Sequence, residues 1–174
     1  MEAFESLITR RSIRYYKKTK IEKEIIFKLI KAAMHAPSAR NYQPWHFIVI
    51  DDDKIIQEAS RLHPYGDILS RAPLAILVCG DTEKENTIGY LIEDCSAATE
   101  NLLIAAHSLK LGACWLGIYP REERIEKIHK YFALPENIIP ISLVTIGFPA
   151  EEKKKIEKFK ESRIHFNGWN ESKK

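Results

Sequence analysis

Residues 36–45 read Ala36-Pro37-Ser38-Ala39-Arg40-Asn41-Tyr42-Gln43-Pro44-Trp45, and the rest of the chain is best understood outward from them. Two prolines bracket a Ser, an Asn and a Gln, which makes a stiff loop rich in side-chain donors and acceptors. Pro37 disfavours helical backbone at Ala36, so a helix arriving from the N-terminal side ends there. Beyond the loop, Trp45-His46-Phe47-Ile48-Val49-Ile50 is aromatic and β-branched and predicts a strand that stops at Asp51-Asp52-Asp53. Such a junction suits a plain connecting turn or a loop that reads the polar edge of a flat heterocycle. The ten residues alone do not choose.

Upstream, residues 22–36 predict the arriving helix, with Ile25, Leu29, Ala32 and Ala36 on one face and Thr19 with Glu22 as a capping box. A short helix over 3–8 precedes it, interrupted by Thr9-Arg10-Arg11-Ser12. Downstream, helices are expected at 54–62 and 64–70, then a buried apolar strand over 74–79. A long helix at 86–109 carries the stripe Ile88, Leu91, Cys95, Ala98, Leu102, Ala105 and Leu109. Strands at 112–117 and 139–146, the latter broken by Pro140, flank an amphipathic helix at 121–132. Strands interleaved with helices predict one sheet covered on both faces, with no linker to divide residues 1–174.

Composition narrows the class. The chain has 174 residues, 45% hydrophobic and 29% charged, as in an ordinary globular domain. A net charge of +3 is too small to argue for nucleic acid. Basic residues concentrate at 10–20 and 153–160, two segments that either fold around one anionic group or form solvated faces. Cys79, Cys95 and Cys114 each sit in apolar surroundings, and no CxxC or paired-His spacing suggests a metal site. Met1-Glu2-Ala3-Phe4-Glu5 lacks the pattern of a signal peptide, and no apolar run is long enough for a bilayer, so a cytoplasmic protein without membrane contact is expected. The tail turns from lysine-rich to His165-Phe166-Asn167-Gly168-Trp169, whose aromatic rings call for burial on this chain or on a partner.

Three further segments carry chemical potential. Arg10-Arg11-Ser12-Ile13-Arg14 offers guanidinium forks and a hydroxyl suited to phosphate, or else an exposed basic turn. Gly112-Ala113-Cys114-Trp115-Leu116-Gly117 lets backbone approach a ligand closely, or is a strand with packing glycines. Lys160 and Arg163 precede the aromatic hook. In order and spacing these segments, with 37–45, resemble the nitroreductase family: Arg-Arg-Ser-x-Arg is matched at 10–14 and Pro-Ser-x-x-Asn-x-Gln-Pro-Trp at 37–45. Residues 94–117 are similar to that family's long central helix and following strand, and the resemblance covers nearly the whole chain.

The resemblance implies an α+β, three-layer fold with a central mixed sheet of about four to five strands flanked by helices and a C-terminal arm wrapping a second subunit. It implies a homodimer holding FMN at its interface. Arg10, Arg11 and Ser12 would meet the phosphate and ribityl chain, Arg163 would complete the phosphate site, and Arg14 would approach the N1/O2 side of the ring. Pro37, Ser38, Asn41 and Gln43 would come from the other subunit, and backbone at Leu116 and Gly117 would face N5. NADH or NADPH would stack on the flavin, deliver hydride and leave, and a small oxidised acceptor such as a nitroaromatic or quinone would take the electrons in a ping-pong cycle. No acid or base is needed, so none of the histidines is assigned to catalysis; His46 and His107 read as structural. The small residues Ser96, Ala97, Ala98, Ala105 and Ala106 suit a close helix contact between subunits. Tyr65, Tyr90 and Tyr119 are candidates to line a substrate pocket. Dehalogenation, flavin breakdown or a non-catalytic redox sensor would use the same cofactor site.

Overall fold

The structure, a computed structural model, describes residues 2–169. Helix α1 (Ala3–Thr9) and helix α2 (Lys23–Met34) lead into a 3₁₀ turn at Ala39–Asn41 and strand β1 (Trp45–Ile50). Helices α3 (Asp53–Ser60) and α4 (Gly66–Ser70) follow, then β2 (Leu74–Asp81), the long α5 (Ile88–Ser108), β3 (Gly112–Gly117), α6 (Glu122–Tyr131) and β4 (Ile138–Gly147). Asp52 caps α3, its Oδ1 accepting from the backbone of Lys54 and Ile55 at 2.9 and 3.0 Å.

The strands lie in the order β1-β2-β4-β3. All three ladders are antiparallel, so the sheet is not mixed as expected. The parallel element is confined to an isolated bridge, Ser12 with Ala113. Every residue of β2 is buried, as a strand enclosed by neighbours and covered on both faces must be. Its side chains alternate between two cores. Leu74, Ile76 and Val78 meet α2 and α5, while Ala75, Leu77 and Cys79 meet α3, α4 and α6.

Four further expectations need correction. Of the anticipated α2 face Ile25, Leu29, Ala32 and Ala36, Leu29 and Ala36 are buried, while Ile25 and Ala32 give way to their neighbours Ile26 and Ala33. Glu22 is the residue preceding α2 and makes no side-chain cap, so the Thr19–Glu22 box does not form. Pro140 does not break β4: it pairs with Cys79, and the register shifts between Val78 and Cys79 so that the neighbouring Ile141 of β4 has no partner in β2. A bulge there absorbs a residue that cannot donate to the ladder. Ala98 and Ala106 pack inside this chain's own core, with no exposure to offer a partner, whereas Ser96, Ala97 and Ala105 stay half-buried. Among the described residues no helix is long and apolar enough to cross a membrane.

Candidate cofactor site

Leaving α1, the chain runs against the edge of β3. Ile13 N donates to Ala113 O at 3.0 Å, and Tyr16 closes the segment with a bridge to Pro149. Gly112 permits this approach, since a Cβ there would lie 2.7 Å from Ile13 Cβ. Its role is packing, and the packing fixes the arginine segment in place. Tyr16 is buried, its hydroxyl 2.8 Å from Thr145 Oγ1, and burial drives its pKa far above the usual phenolic range.

From that frame Arg10, Arg11, Ser12 and Arg14 line a pocket of about 280 Å³, together with Lys153 and Lys158 of the tail. Among the described residues no carboxylate lines it. The acids lie around it and orient the bases: Arg10 Nε meets Glu100 Oε1 at 3.2 Å, and Glu151 accepts from Arg14 N at 2.6 Å and from Lys153 Nζ at 2.5 Å. Burial would raise the Glu151 pKa, but those bonds outweigh it and hold the carboxyl below its ordinary value. Arg11 donates to the carbonyl of Lys154, which ties the tail to the arginine segment. The nearby Cys114 thiol is raised by burial, against the pull of Arg14 and Ser12.

Thus the two basic segments noted in the sequence do come together. The residues that complete the pocket are Lys153 and Lys158, not Arg163. Arg163 sits exposed in a 3₁₀ turn at Glu161–Arg163 and does not line it. Lysines in a lysine-rich stretch are indistinguishable by sequence, and only the tail's return past Arg11 singles these two out.

The 37–45 loop is built by different forces. Arg40, Asn41 and Gln43 have φ of 51°, 57° and 50°, the left-handed region that non-glycine residues enter at a cost. Side chains hold them there. Ser38 Oγ accepts from Gln43 N at 3.0 Å, Gln43 Nε2 donates to Asn41 Oδ1 at 2.8 Å, and Asp94 Oδ1 accepts from Ala39 N at 2.9 Å. Arg40 reaches the fully buried Glu85 at 3.3 Å, with the rings of Tyr42 and Tyr90 each 5.5 Å from its guanidinium carbon. Tyr90 therefore serves the loop, Tyr119 packs against the core, and Tyr65 stands 60% exposed beside His63. Asp94 and Glu85, both buried, are supports that the sequence did not single out.

Pro37, Asn41 and Gln43 are exposed and Ser38 is half-buried, and none of the four lines the arginine pocket of the same chain. At the end of β3, Leu116 is buried. The carbonyl of Gly117 accepts from Arg124 Nη1 at 2.6 Å and contacts His63 Nε2 at 3.0 Å. A Cβ at Gly117 would meet nothing within 4 Å, so this strand end opens onto space. His46 lies 3.5 Å from Asp81, and His107 lies 2.8 Å from Thr9 Oγ1. The tail leaves Phe159, Phe166 and Trp169 more than two-thirds exposed, at 70%, 85% and 81%.

The chain is similar over nearly its whole length to known proteins. The family model described as Nitroreductase family matches residues 7–65 and 56–148. A protein of Archaeoglobus fulgidus, provisionally named NADH dehydrogenase/NAD(P)H nitroreductase, is 44% identical over 172 residues, covering 97% of this chain and 99% of its own length. A solved structure from Parabacteroides distasonis with the same provisional name superposes with a TM-score of 0.92 at 41% identity, covering 96% of this chain and 98% of that one. An FMN-dependent nitroreductase of Clostridium difficile superposes with a TM-score of 0.88 at 34% identity, covering 95% and 99%. The chain belongs to the nitroreductase family.

Proposed function

We propose that this chain is an FMN-dependent NAD(P)H oxidoreductase that works as a cytoplasmic homodimer and reduces small oxidised acceptors such as nitroaromatics or quinones. The observation that carries the reading is the pocket of Arg10, Arg11, Ser12, Arg14, Lys153 and Lys158, lined by cations and a hydroxyl with no acid among them. That donor set fits a dianionic phosphate, because guanidinium forks and a short hydroxyl donor match its oxygens. The FMN dependence stated for the Clostridium difficile relative supports the same assignment.

When bound, FMN supplies the two-electron chemistry, taking hydride from the nicotinamide donor and passing electrons to the acceptor. The protein's part is binding and electrostatics. Arg10, Arg11 and Ser12 hold the phosphate end. Arg14, whose backbone is clamped by Glu151, places a cation where negative charge develops on the ring. The open end of β3 at Leu116 and Gly117 gives backbone access to the redox edge. Pro37, Ser38, Asn41 and Gln43, held rigidly but away from the arginine pocket of their own chain, act on the site of the second subunit. The exposed Phe159, Phe166 and Trp169 are the side chains with which the tail grips that subunit, carrying Arg163 to its phosphate site. No protein acid or base takes part, since solvent protonates a reduced nitro or quinone oxygen.

The test is the visible spectrum of the purified protein, then anaerobic addition of NAD(P)H. The expected result is a yellow protein that bleaches and recovers its colour with a quinone or nitroaromatic. A colourless protein that takes up no added FMN at dimer-forming concentration overturns the reading. Flavin that is bound but not reduced by NAD(P)H points instead to the redox-sensor alternative, and product analysis separates dehalogenation and flavin breakdown.

A further inference from the structure

A cavity of about 560 Å³, separate from the arginine pocket, has among its walls two residues, His63 and Arg124, that contact the Gly117 carbonyl. Its walls come from the turn after α3 and the first turn of α6. The cations are Arg61, Arg121, Arg124 and Lys127, and the carboxylates are Glu122 and Glu123. Glu123 is occupied by Lys127 at 2.7 Å. Among the described residues neither Arg61 nor Arg121 has an ion-pair partner, and both are exposed at the rim. Two free guanidinium forks facing one cavity form an anion site, because each can bond two oxygens in a plane.

The cavity is coupled to the strand end described above. Arg124 lines it and donates to Gly117 O, and His63 lines it and contacts the same oxygen. A single neutral tautomer serves His63 fully: Nε2–H toward Gly117 O at 3.0 Å, with Nδ1 accepting from Tyr65 N at 3.1 Å. Burial holds the His63 pKa below its ordinary value, Arg124 adding to this and the bond to Gly117 opposing it, so the shift favours the same neutral ring. Both wall residues thereby brace the Gly117 backbone, which the proposed function sets against the flavin's redox edge.

We propose that the cavity walled by Arg61, Arg121 and Arg124 beside Gly117 binds the phosphate groups of the nicotinamide dinucleotide donor and selects the donor bearing the third phosphate, NADPH. This rests on the flavoenzyme reading for the identity of the ligand, and on the cavity alone for its charge. The volume lies within the range of small-molecule sites and accommodates part of a dinucleotide, whose nicotinamide extends past Gly117. With Glu123 held by Lys127, the carboxylate that opposes a phosphate is Glu122.

The test uses two readouts on the purified protein. Calorimetric titration with 2′,5′-ADP, which carries the discriminating phosphate, is expected to show binding that Arg61→Ala and Arg121→Ala each weaken about three- to tenfold. Glu122→Gln is expected to tighten it, a gain that misfolding cannot mimic. Anaerobic flavin reduction is expected to show NADPH preferred over NADH, the preference shrinking in both arginine variants at unchanged flavin content. Equal affinity of 2′,5′-ADP for wild type and both arginine variants, or equal use of NADH and NADPH, overturns the proposal. A colourless protein that still binds 2′,5′-ADP through these arginines defeats the flavoenzyme reading and leaves the anion site standing. A flavin-loaded protein indifferent to all three substitutions does the reverse.

Discussion

Two glycines on one strand, Gly112 and Gly117, have opposite surroundings, and the same substitution at each separates packing from cofactor access. A Cβ at Gly112 falls 2.7 Å from both Ile13 Cβ and Cγ2 and 2.8 Å from Cγ1, while one at Gly117 meets nothing within 4 Å. Neither has a positive φ, so alanine strains neither backbone. Ile13 cannot swing clear, because its own Cβ is one of the close atoms and its backbone is bonded to Ala113. Overpacking of this kind costs about 1–3 kcal/mol. Loss of glycine's freedom in the unfolded chain returns about 0.4–1 kcal/mol. Gly112→Ala should therefore lose about 1–2 kcal/mol, or roughly 2–8 °C in Tm for a chain of this size. It should also displace Ser12 and Arg14 and loosen FMN. Gly117→Ala keeps only the favourable contribution, so its Tm should hold or rise by about 1–4 °C, while its methyl group should enter the space that the proposed function assigns to flavin and so lower FMN retention. Differential scanning calorimetry of the flavin-free proteins, with FMN content measured separately, reads both effects. A Gly117→Ala protein that melts below wild type, or a Gly112→Ala protein that melts with it, would refute the reasoning.

Other outcomes follow from the same contacts. Lys158→Ala should weaken FMN retention about two- to fivefold, the range for one exposed charge, as measured by fluorescence of released flavin. Arg163→Ala should weaken it only at concentrations where the dimer persists, and equal loss in a dilute monomer would show that the arm serves its own chain. Removing Asp94 with Asp94→Ala leaves Ala39 N without its acceptor and should cost about 1–3 kcal/mol in urea unfolding; a midpoint at the wild-type value would dismiss Asp94 as the loop's support. Cys79 and Cys95 are pushed up to about 12 by burial from an ordinary 9.0. Both thiols should resist a disulfide reagent at pH 8 until the protein unfolds. Because only the unfolded thiols ionise above pH 9, their stabilising contribution is full below that pH and falls away towards pH 12. Flat stability across that window would contradict the burial.

The strands were legible because their residues leave little choice. Residues 45–50 and 74–79 are apolar runs bounded by turn formers, and both appear as β1 and β2 with at most two residues added. Helix α2 was placed but misphased. With Ile25, Ile26, Leu29 and Ile30 all apolar, the periodicity has two solutions, and contact with α5 decides between them. Strand order and the bulge that accommodates Pro140 depend on pairing partners far apart in the chain, which no local pattern encodes. At the site, Arg10–Arg14 and 37–45 announced themselves by composition. Lys153 and Lys158 were hidden in a uniform basic tail, and nothing in the sequence marks Glu85 and Asp94 for burial, because acids are usually solvated. Their burial is visible only once α5 lies beneath the loop.

The alternation of β2 between two cores has a consequence for how the molecule fails. Each residue of this strand is shared property: a cavity opened under Ile76 on the α5 side shifts a backbone whose next side chain, Leu77, is wedged beneath α3 and α6. Damage to either layer is thereby transmitted to the other. The two halves of the sandwich should melt as one cooperative unit, with the β2 amides exchanging their hydrogens only when the whole chain opens. For a lineage of such sequences this strand is the segment least free to drift, and change is steered toward the helices' outer faces, the cavity rims and the tail.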